Sequence, residues 1–108
     1  MYFDEFKEYA ENNSRAHDYF FERALDYQNA KNARRTPAYR RWKEQKVLKE
    51  VETMWTNVVK QLYDNIKLNG KFSKRFMHQE EIDEWVSFMN EHEILESFAD
   101  SMAEIEFE

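Results

Sequence analysis

The three histidines of this chain, His17, His78 and His92, are the side chains that proteins most often use as metal ligands and general bases. They belong to no His-Glu-x-x-His motif, and none follows a glutamate by three positions, so two common helical metal patterns are missing. The chain also contains no cysteine that could act as a nucleophile or a thiolate ligand. We therefore predict no metal and no other cofactor, and we expect His17 to be an ordinary helix-surface group.

Other catalytic arrangements are also hard to assemble from this sequence. A catalytic pair of carboxylates needs one member that is desolvated and shifted in pKa, and nothing marks any of the 22 acidic residues as buried. The serines have no flanking glycines to form a nucleophile elbow, and the one glycine cannot supply a phosphate-binding loop. We predict that the protein is not an enzyme.

The segregation of charge along the chain is the clearest signal for function. Residues 31–49 contain eight basic side chains and one acid, and residues 71–78 add three basic groups and no acid. Residues 79–108 contain eleven acids and no lysine or arginine. The net charge of −6 therefore conceals two regions of opposite sign, and each is a candidate binding surface.

The acidic C-terminal region is the first candidate. Its dense carboxylates could occupy a basic cleft on another protein, as small inhibitors encoded by phages and plasmids do when they imitate a phosphate backbone. A solvated helix face is the commoner meaning of such charge. The predicted partner-binding acids are Glu80, Glu81, Asp83, Glu84, Glu91, Glu96 and Asp100.

The basic region, residues 31–49, is the second candidate. Its arginines and lysines alternate with aromatic residues, a combination that can hold a phosphate backbone and stack a base, or anchor a protein interface. The predicted contact residues are Arg34, Arg35, Tyr39, Arg40, Arg41, Trp42, Lys43 and Lys46. The plainer alternative is that this region lies beside the acidic C-terminal helix and neutralises it.

Helices are the elements that must position both regions. One glycine and one proline in 108 residues are too few for the many turns of a β-sandwich or β-barrel. Hydrophobic residues make up 42% of the chain and aromatic residues 17%, which is enough for one core. We predict an all-α fold, a small antiparallel bundle of three to five helices that forms a single domain of residues 1–108.

The longest predicted helix is central and covers about residues 37–69. Thr36 is a suitable N-cap, Pro37 suits the first helical position, and Asn69 followed by Gly70 is a typical left-handed helix stop. The apolar residues between them recur at steps of three and four, as on one face of a helix. They are Leu48, Val51, Trp55, Val58, Leu62 and Ile66, and Met54, Val59 and Tyr63 widen this stripe.

Shorter helices are predicted on both sides of the central one. The pattern before it favours a helix near residues 2–11 and a longer one near residues 14–33. The pattern after it continues from residue 82 to residue 105, but its apolar phase shifts around residues 90–93. We expect a kink or a short turn there.

The remaining composition bears on location and partners. No stretch approaches the ~18 apolar residues of a membrane span, and the first six residues lack the basic start of a secretory signal. We expect a cytoplasmic protein without a membrane partner. Four aromatic residues exceed the needs of one thin helix face and favour a homodimer or a partner: Tyr2, Phe3, Tyr19 and Phe21.

These patterns predict a small acidic, non-enzymatic helical protein that binds another macromolecule. A protein partner is the first choice, with the chain acting as an inhibitor, adaptor or regulator. The alternative is a nucleic-acid-binding protein that uses residues 31–49.

Overall fold

A computed structural model describes residues 1–36, 42–72 and 77–107 of the chain. Within these ranges the chain forms five α-helices and no β-strand. The helices are α1 (Phe3–Asn13), α2 (Ala16–Ala33), α3 (Glu44–Gly70), α4 (His78–Glu91) and α5 (Ile94–Ala103). The predicted all-α fold with one long helix is confirmed.

The first two helices lie end to end along α3 and run antiparallel to it. At one end of the molecule the Phe3 ring packs edge-on against Tyr63, near the C-terminus of α3. At the other end Asn32 of α2 bonds to Trp42, just before α3 begins. Helices α1 and α2 therefore act as one broken rod about as long as α3.

The last two helices form a second broken rod, parallel to the first. His78 at the start of α4 contacts Glu5 of α1, and Phe107 beyond the end of α5 stacks on Tyr27 of α2. The fold is thus a three-rod bundle in which two rods are interrupted. It is elongated, with extents of 57 × 25 × 21 Å.

Two aromatic layers hold the three rods together. In the first layer Trp55 of α3, which is 0% exposed, lies between Phe20 of α2 and Phe98 of α5, with ring centroids 5.5 and 5.7 Å away. Each rod therefore contributes one ring to the same contact. Burial of one such side chain removes about 150–250 Å² from water and stabilises the fold by up to about 4–6 kcal/mol.

The second layer repeats this arrangement nearer the N-terminus of α1. Trp85 of α4 stacks on Tyr63 of α3 at 5.0 Å and packs edge-on against Phe6 of α1 at 6.0 Å. The Tyr63 hydroxyl donates a 2.6 Å hydrogen bond to the carbonyl oxygen of Met1, which satisfies its buried polar atom. This layer fixes α4 to the other two rods.

The buried face of α3 lies toward one side of the predicted stripe, the side that Val59 and Tyr63 widen. Its buried residues are Val47, Val51, Trp55, Val59, Tyr63 and Ile66. Leu48, which was predicted to lie on this face, is 37% exposed, and Val58 and Leu62 are only partly buried. The reason is that α3 contacts both other rods, so the residues between the two contacts become the most buried.

The breaks within the two interrupted rods were predicted correctly. Between α1 and α2, Ser14 Oγ accepts a 3.1 Å hydrogen bond from the backbone N–H of Ala16, the first residue of α2. Between α4 and α5, Glu93 adopts the left-handed conformation with φ of 50°. This residue lies within the predicted turn at residues 90–93.

The predicted start of the long helix is wrong. Helix α3 begins at Glu44, and the residue that precedes it, Lys43, has the extended conformation of an N-cap. Trp42 is also outside the helix, because the Asn32 side chain binds its backbone N–H and carbonyl oxygen. The predicted first residue, Pro37, lies outside the described residues.

The predicted end of the long helix at Gly70 is correct, but the predicted left-handed conformation of this glycine is not. Gly70 is the last helical residue, and Lys71 adopts the left-handed conformation with φ of 47°. The Phe72 ring occupies the space that a Cβ atom on Gly70 would need. Glycine is therefore required for a close approach of the Phe72 ring and not for a positive φ.

Candidate functional site

The predicted basic residues meet at one end of the bundle, where α2 ends and α3 begins. We call this surface the basic pole. Its described members are Lys31, Arg34, Arg35, Trp42, Lys43, Lys46 and Lys49. All of them are exposed except Arg35 and Trp42, which are half-buried. The predicted contact residues Tyr39, Arg40 and Arg41 lie outside the described residues.

Trp42 is the fixed centre of the basic pole. The Asn32 side-chain amide donates a 2.9 Å hydrogen bond to the Trp42 carbonyl oxygen and accepts one of 2.7 Å from its N–H. The Arg35 guanidinium and the Lys46 ammonium lie 4.4 and 4.6 Å from the centroid of the indole. Such cation–π contacts contribute about 0.5–1 kcal/mol each at exposed sites. The sequence suggested either packing or an exposed anchor, and the structure combines the two.

The acidic rod does not cover the basic pole. The tail after α5 reaches Tyr27 through Phe107, whereas α2 continues for almost two further turns to Ala33. Among residues 1–36, 42–72 and 77–107, no ion pair joins the basic pole to an acid of α4 or α5. Mutual neutralisation of the two regions is therefore not how the described chain is arranged.

The outer side of α4 and α5 carries most of the predicted acids. We call it the acidic face, and its members are Glu80, Asp83, Glu84, Glu91, Glu93, Glu96, Asp100 and Glu104. It lies opposite the buried residues of the two helices. Glu81 does not belong to this face, because it is half-buried beside α1 and its carboxylate lies 3.3 Å from Nδ1 of His78.

Some charges of the acidic face oppose helix stability, whereas Glu80 and Glu96 lie in the first turns of α4 and α5, where the helix dipole favours an acid. Glu96, Asp100 and Glu104 follow one another at one-turn spacing, and like charges at this spacing destabilise a helix by about 0.2–0.5 kcal/mol per pair. Glu91 ends α4 and Glu104 caps the C-terminus of α5, where the helix dipole disfavours negative charge. Neither helix has a basic residue in its last turn.

A second polar cluster, around His78, fastens α4 to α1. His78 Nε2 lies 2.7 Å from Oε1 of Glu5, and its ring stacks on Tyr2 at 4.5 Å. Its hydrogen bonds to Glu5 and Glu81 raise the pKa of His78 above its ordinary value. A hydrogen bond from the backbone N–H of Tyr2 lowers the pKa of Glu5, and the hydrogen bond with His78 lowers it further. No sequence pattern predicted this cluster, because His78 and Glu5 are 73 residues apart.

The groups best placed to hold a metal already share a cation. Ligand atoms of Glu11, His17 and Glu52 lie within 4.8 Å of one another. The Lys7 ammonium donates to Glu11 at 3.1 Å and to Glu52 at 3.2 Å. Burial acts to lower the pKa of Lys7, but these hydrogen bonds raise it above its ordinary value. The Lys7 ammonium therefore offsets one of the two carboxylate charges and occupies the position between them.

His17 differs from its predicted place on the helix surface. Its side chain is 29% exposed and packs edge-on against Trp55, with centroids 5.0 Å apart. The aromatic residues predicted to form a further apolar surface also differ. Phe3, Tyr19 and Phe21 are partly buried against the core, and Tyr2 is 69% exposed.

Comparison with known proteins gives no match for this chain among family models, curated proteins or solved structures. In the described parts of the chain, no helix combines the length and the apolar character needed to cross a bilayer. The basis for a functional proposal is therefore the geometry of the two charged surfaces.

Proposed function

We propose that this chain is a non-enzymatic binding protein whose acidic face docks onto a basic surface of another protein, as an inhibitor, adaptor or regulator. One observation carries the proposal: Glu96, Asp100 and Glu104 form a solvent-exposed row that costs helix stability and pairs with no cation in the described chain. A basic partner would supply the missing countercharge. Such charges mainly increase the association rate and the specificity of binding.

The spacing of the carboxylates in this row suggests what kind of surface the partner has. It fits a protein cleft that normally binds nucleic acid. Carboxylates one helical turn apart are separated by about 6 Å along the helix. Alternate phosphates of one DNA strand are about 6.8 Å apart along the duplex axis. A protein cleft built to bind every second phosphate would therefore meet Glu96, Asp100 and Glu104 at a similar spacing.

The test must separate the position of the charge from the net charge. An acidic-face variant carries Glu80→Gln, Glu96→Gln and Asp100→Asn, and a control carries Glu8→Gln, Asp18→Asn and Glu44→Gln, which are exposed acids on other helices. Both variants have the same net charge. Binding of a fluorescein-labelled oligo-arginine peptide is measured by anisotropy, after circular dichroism shows that both variants are folded.

We expect the acidic-face variant to bind the peptide roughly tenfold more weakly than the original chain, because each surface ion pair contributes about 0.2–1 kcal/mol. The control should stay within about twofold of the original affinity. Equal weakening in both variants would mean that only net charge matters, and the acidic face would lose its role.

The uncovered basic pole favours a second candidate function, which is binding of single-stranded nucleic acid. Trp42 is held in place beside Arg35 and Lys46, and Arg34 and Lys43 are exposed nearby. Because two cations already contact the indole, we expect phosphate contacts to dominate over base stacking. Binding to labelled single-stranded DNA should then weaken log-linearly as the salt concentration rises.

The double variant Arg34→Gln with Lys43→Gln tests this second candidate. It should reduce the slope of the salt dependence by about 1.4, because each lost phosphate contact on a single strand removes about 0.7. Absence of DNA binding at the lowest salt concentration would exclude the basic pole as a nucleic-acid site.

A further inference from the structure

A groove of about 680 Å³ lies between α2 and the tail that follows α5. Three aromatic rings line it, those of Tyr19, Tyr27 and Phe107. Three carboxylates line it as well, those of Glu22, Asp26 and Glu106. Its volume falls within the about 300–1,000 Å³ that is usual for ligand-binding pockets.

The tail that forms one wall of the groove is fixed at two points. After α5 ends at Ala103, the Arg23 guanidinium donates a 2.9 Å hydrogen bond to the carbonyl oxygen of Ile105. Further along, the Phe107 ring stacks on Tyr27 at 5.3 Å and packs edge-on against Phe20 at 5.6 Å. The wall therefore consists of residues held against α2 by specific contacts.

The chemistry of the lining fits a cation. Three carboxylates face one guanidinium, that of Arg23, which is already bound to Ile105. The negative potential of the three exposed carboxylates would repel an anion and attract a cation, and an uncharged group would gain nothing from it. The Tyr19 ring already accepts the Arg15 guanidinium, which lies 5.2 Å from its centroid. Rings and carboxylates together are the surroundings that a guanidinium prefers, because it stacks on the rings and bonds to the acids.

We propose that this groove binds an arginine side chain from a basic segment of the protein partner. The inference rests on the proposed function and adds to it an anchoring site. Glu104, the last residue of the acidic row, is adjacent to Ala103 and Ile105 in the groove wall. A basic segment that lies along α5 toward its C-terminus can thus face Glu96 and Asp100 and place one further side chain in the groove.

The first arm of the test removes the charge of the groove and leaves its rings in place. The variant Glu22→Gln with Asp26→Asn is compared with the matched control Glu8→Gln with Asp18→Asn, which also neutralises two exposed acids. Binding of the labelled oligo-arginine peptide should fall about tenfold in the groove variant and less than about twofold in the control.

The second arm removes a ring and keeps the charge. In the original chain, oligo-arginine should bind several-fold more tightly than oligo-lysine of equal length, because a guanidinium stacks on aromatic rings better than an ammonium does. In Tyr27→Leu this preference should disappear, while binding of oligo-lysine changes little. A loss of stability alone would weaken both peptides equally, so the ratio of the two affinities reports on the groove.

The outcomes separate the groove from the acidic face. Unchanged oligo-arginine binding in both groove variants, together with loss of binding in the acidic-face variant, would overturn the groove and leave the proposed function standing. Unchanged binding in the groove and acidic-face variants alike would overturn both.

Discussion

The basic pole and the acidic face carry opposite charges and are built on opposite principles. At the basic pole, contacts within the chain hold the central residue in place. Asn32 forms hydrogen bonds to the backbone of Trp42, and Arg35 and Lys46 form cation–π contacts with its ring. In the acidic face, the row of Glu96, Asp100 and Glu104 has no such internal contact among the described residues, and helices α4 and α5 are held by the inward-facing rings of Trp85 and Phe98. The inner contacts of α4 and α5 hold these helices in place, and the mutual repulsion of Glu96, Asp100 and Glu104 opposes them.

This difference indicates where binding energy remains available. Groups that are already satisfied within the chain gain less from a partner, because they must first give up their internal contacts. Among the described residues, the side chains of Glu96, Asp100 and Glu104 form no hydrogen bond or ion pair that a partner would have to break. We therefore expect the acidic face to gain more from a countercharged partner than the basic pole does.

The largest expected effect comes from removing the support behind the acidic face. Trp85→Ala deletes the ring that stacks on Tyr63 and Phe72, and comparable core truncations cost about 3–5 kcal/mol. The free energy of unfolding, measured by urea titration and circular dichroism, should fall by this amount. Trp85→Phe keeps an aromatic ring and should lose much less. A cost below about 1 kcal/mol for Trp85→Ala would mean that α4 is held by other contacts.

The next effect comes from releasing the centre of the basic pole. Asn32→Ala removes both hydrogen bonds to the Trp42 backbone, and we expect a loss of about 1–3 kcal/mol in the free energy of unfolding. Acrylamide should then quench the fluorescence of Trp42 more strongly, whereas Trp55 and Trp85 stay buried. Asn29→Ala, an exposed position on the same helix, is the control. Identical stability and quenching in the two variants would show that the Asn32 hydrogen bonds do not hold Trp42 in place.

A smaller effect should appear as a pH dependence at the junction of α1 and α4. Because Glu5 raises the pKa of His78 in the folded chain, the stability from this contact is fully present below the ordinary histidine pKa of 6.5. It is lost as the pH rises through the higher pKa of the folded state. The stability difference between the original chain and His78→Gln should therefore shrink between about pH 6 and pH 9. A difference that stays constant over this range would show that His78 bears no charge-dependent contact.

The smallest predicted effect is an increase in the free energy of unfolding, whereas the preceding substitutions lower it. Asp100→Asn removes the like-charge contacts with Glu96 and Glu104 and should stabilise the chain by about 0.4–1 kcal/mol at low salt. The gain should diminish in high salt, where the repulsion is screened. Asp64→Asn, which removes a partner of Lys60, should instead be neutral or slightly destabilising. Destabilisation by Asp100→Asn would mean that this acid has a favourable partner.

The sequence predicted what depends on local pattern. The helical class, the turn near Glu93 and the break before Ala16 follow from apolar periodicity and capping residues, which act over a few positions. The start of α3 was misplaced, because the competing contact between Asn32 and Trp42 joins residues that no periodic pattern relates. The position of the buried face within the predicted stripe had the same origin, since it depends on which rods lie beside α3.

The positions of the two charged surfaces could also be predicted from the sequence, whereas their binding roles stay predictions. The composition located both charged surfaces, and the acidic face contains every predicted acid except Glu81. The groove could not be predicted, because α2 and the tail after α5 contribute to it from positions about eighty residues apart in the sequence. The sequence marked Tyr19 as an aromatic residue beyond the needs of the core, but nothing in it related Tyr19 to Phe107.

The most direct test of the central claim is a titration of isotope-labelled protein with oligo-arginine, followed by amide chemical shifts in two-dimensional NMR. We expect the largest saturable shifts on the outer positions of α4 and α5, around Glu80, Glu96 and Asp100, with small shifts at the equally exposed Glu8 and Asp18. Shifts of similar size at all exposed acids would mean that the peptide follows net charge alone, and the acidic face would not be a binding surface.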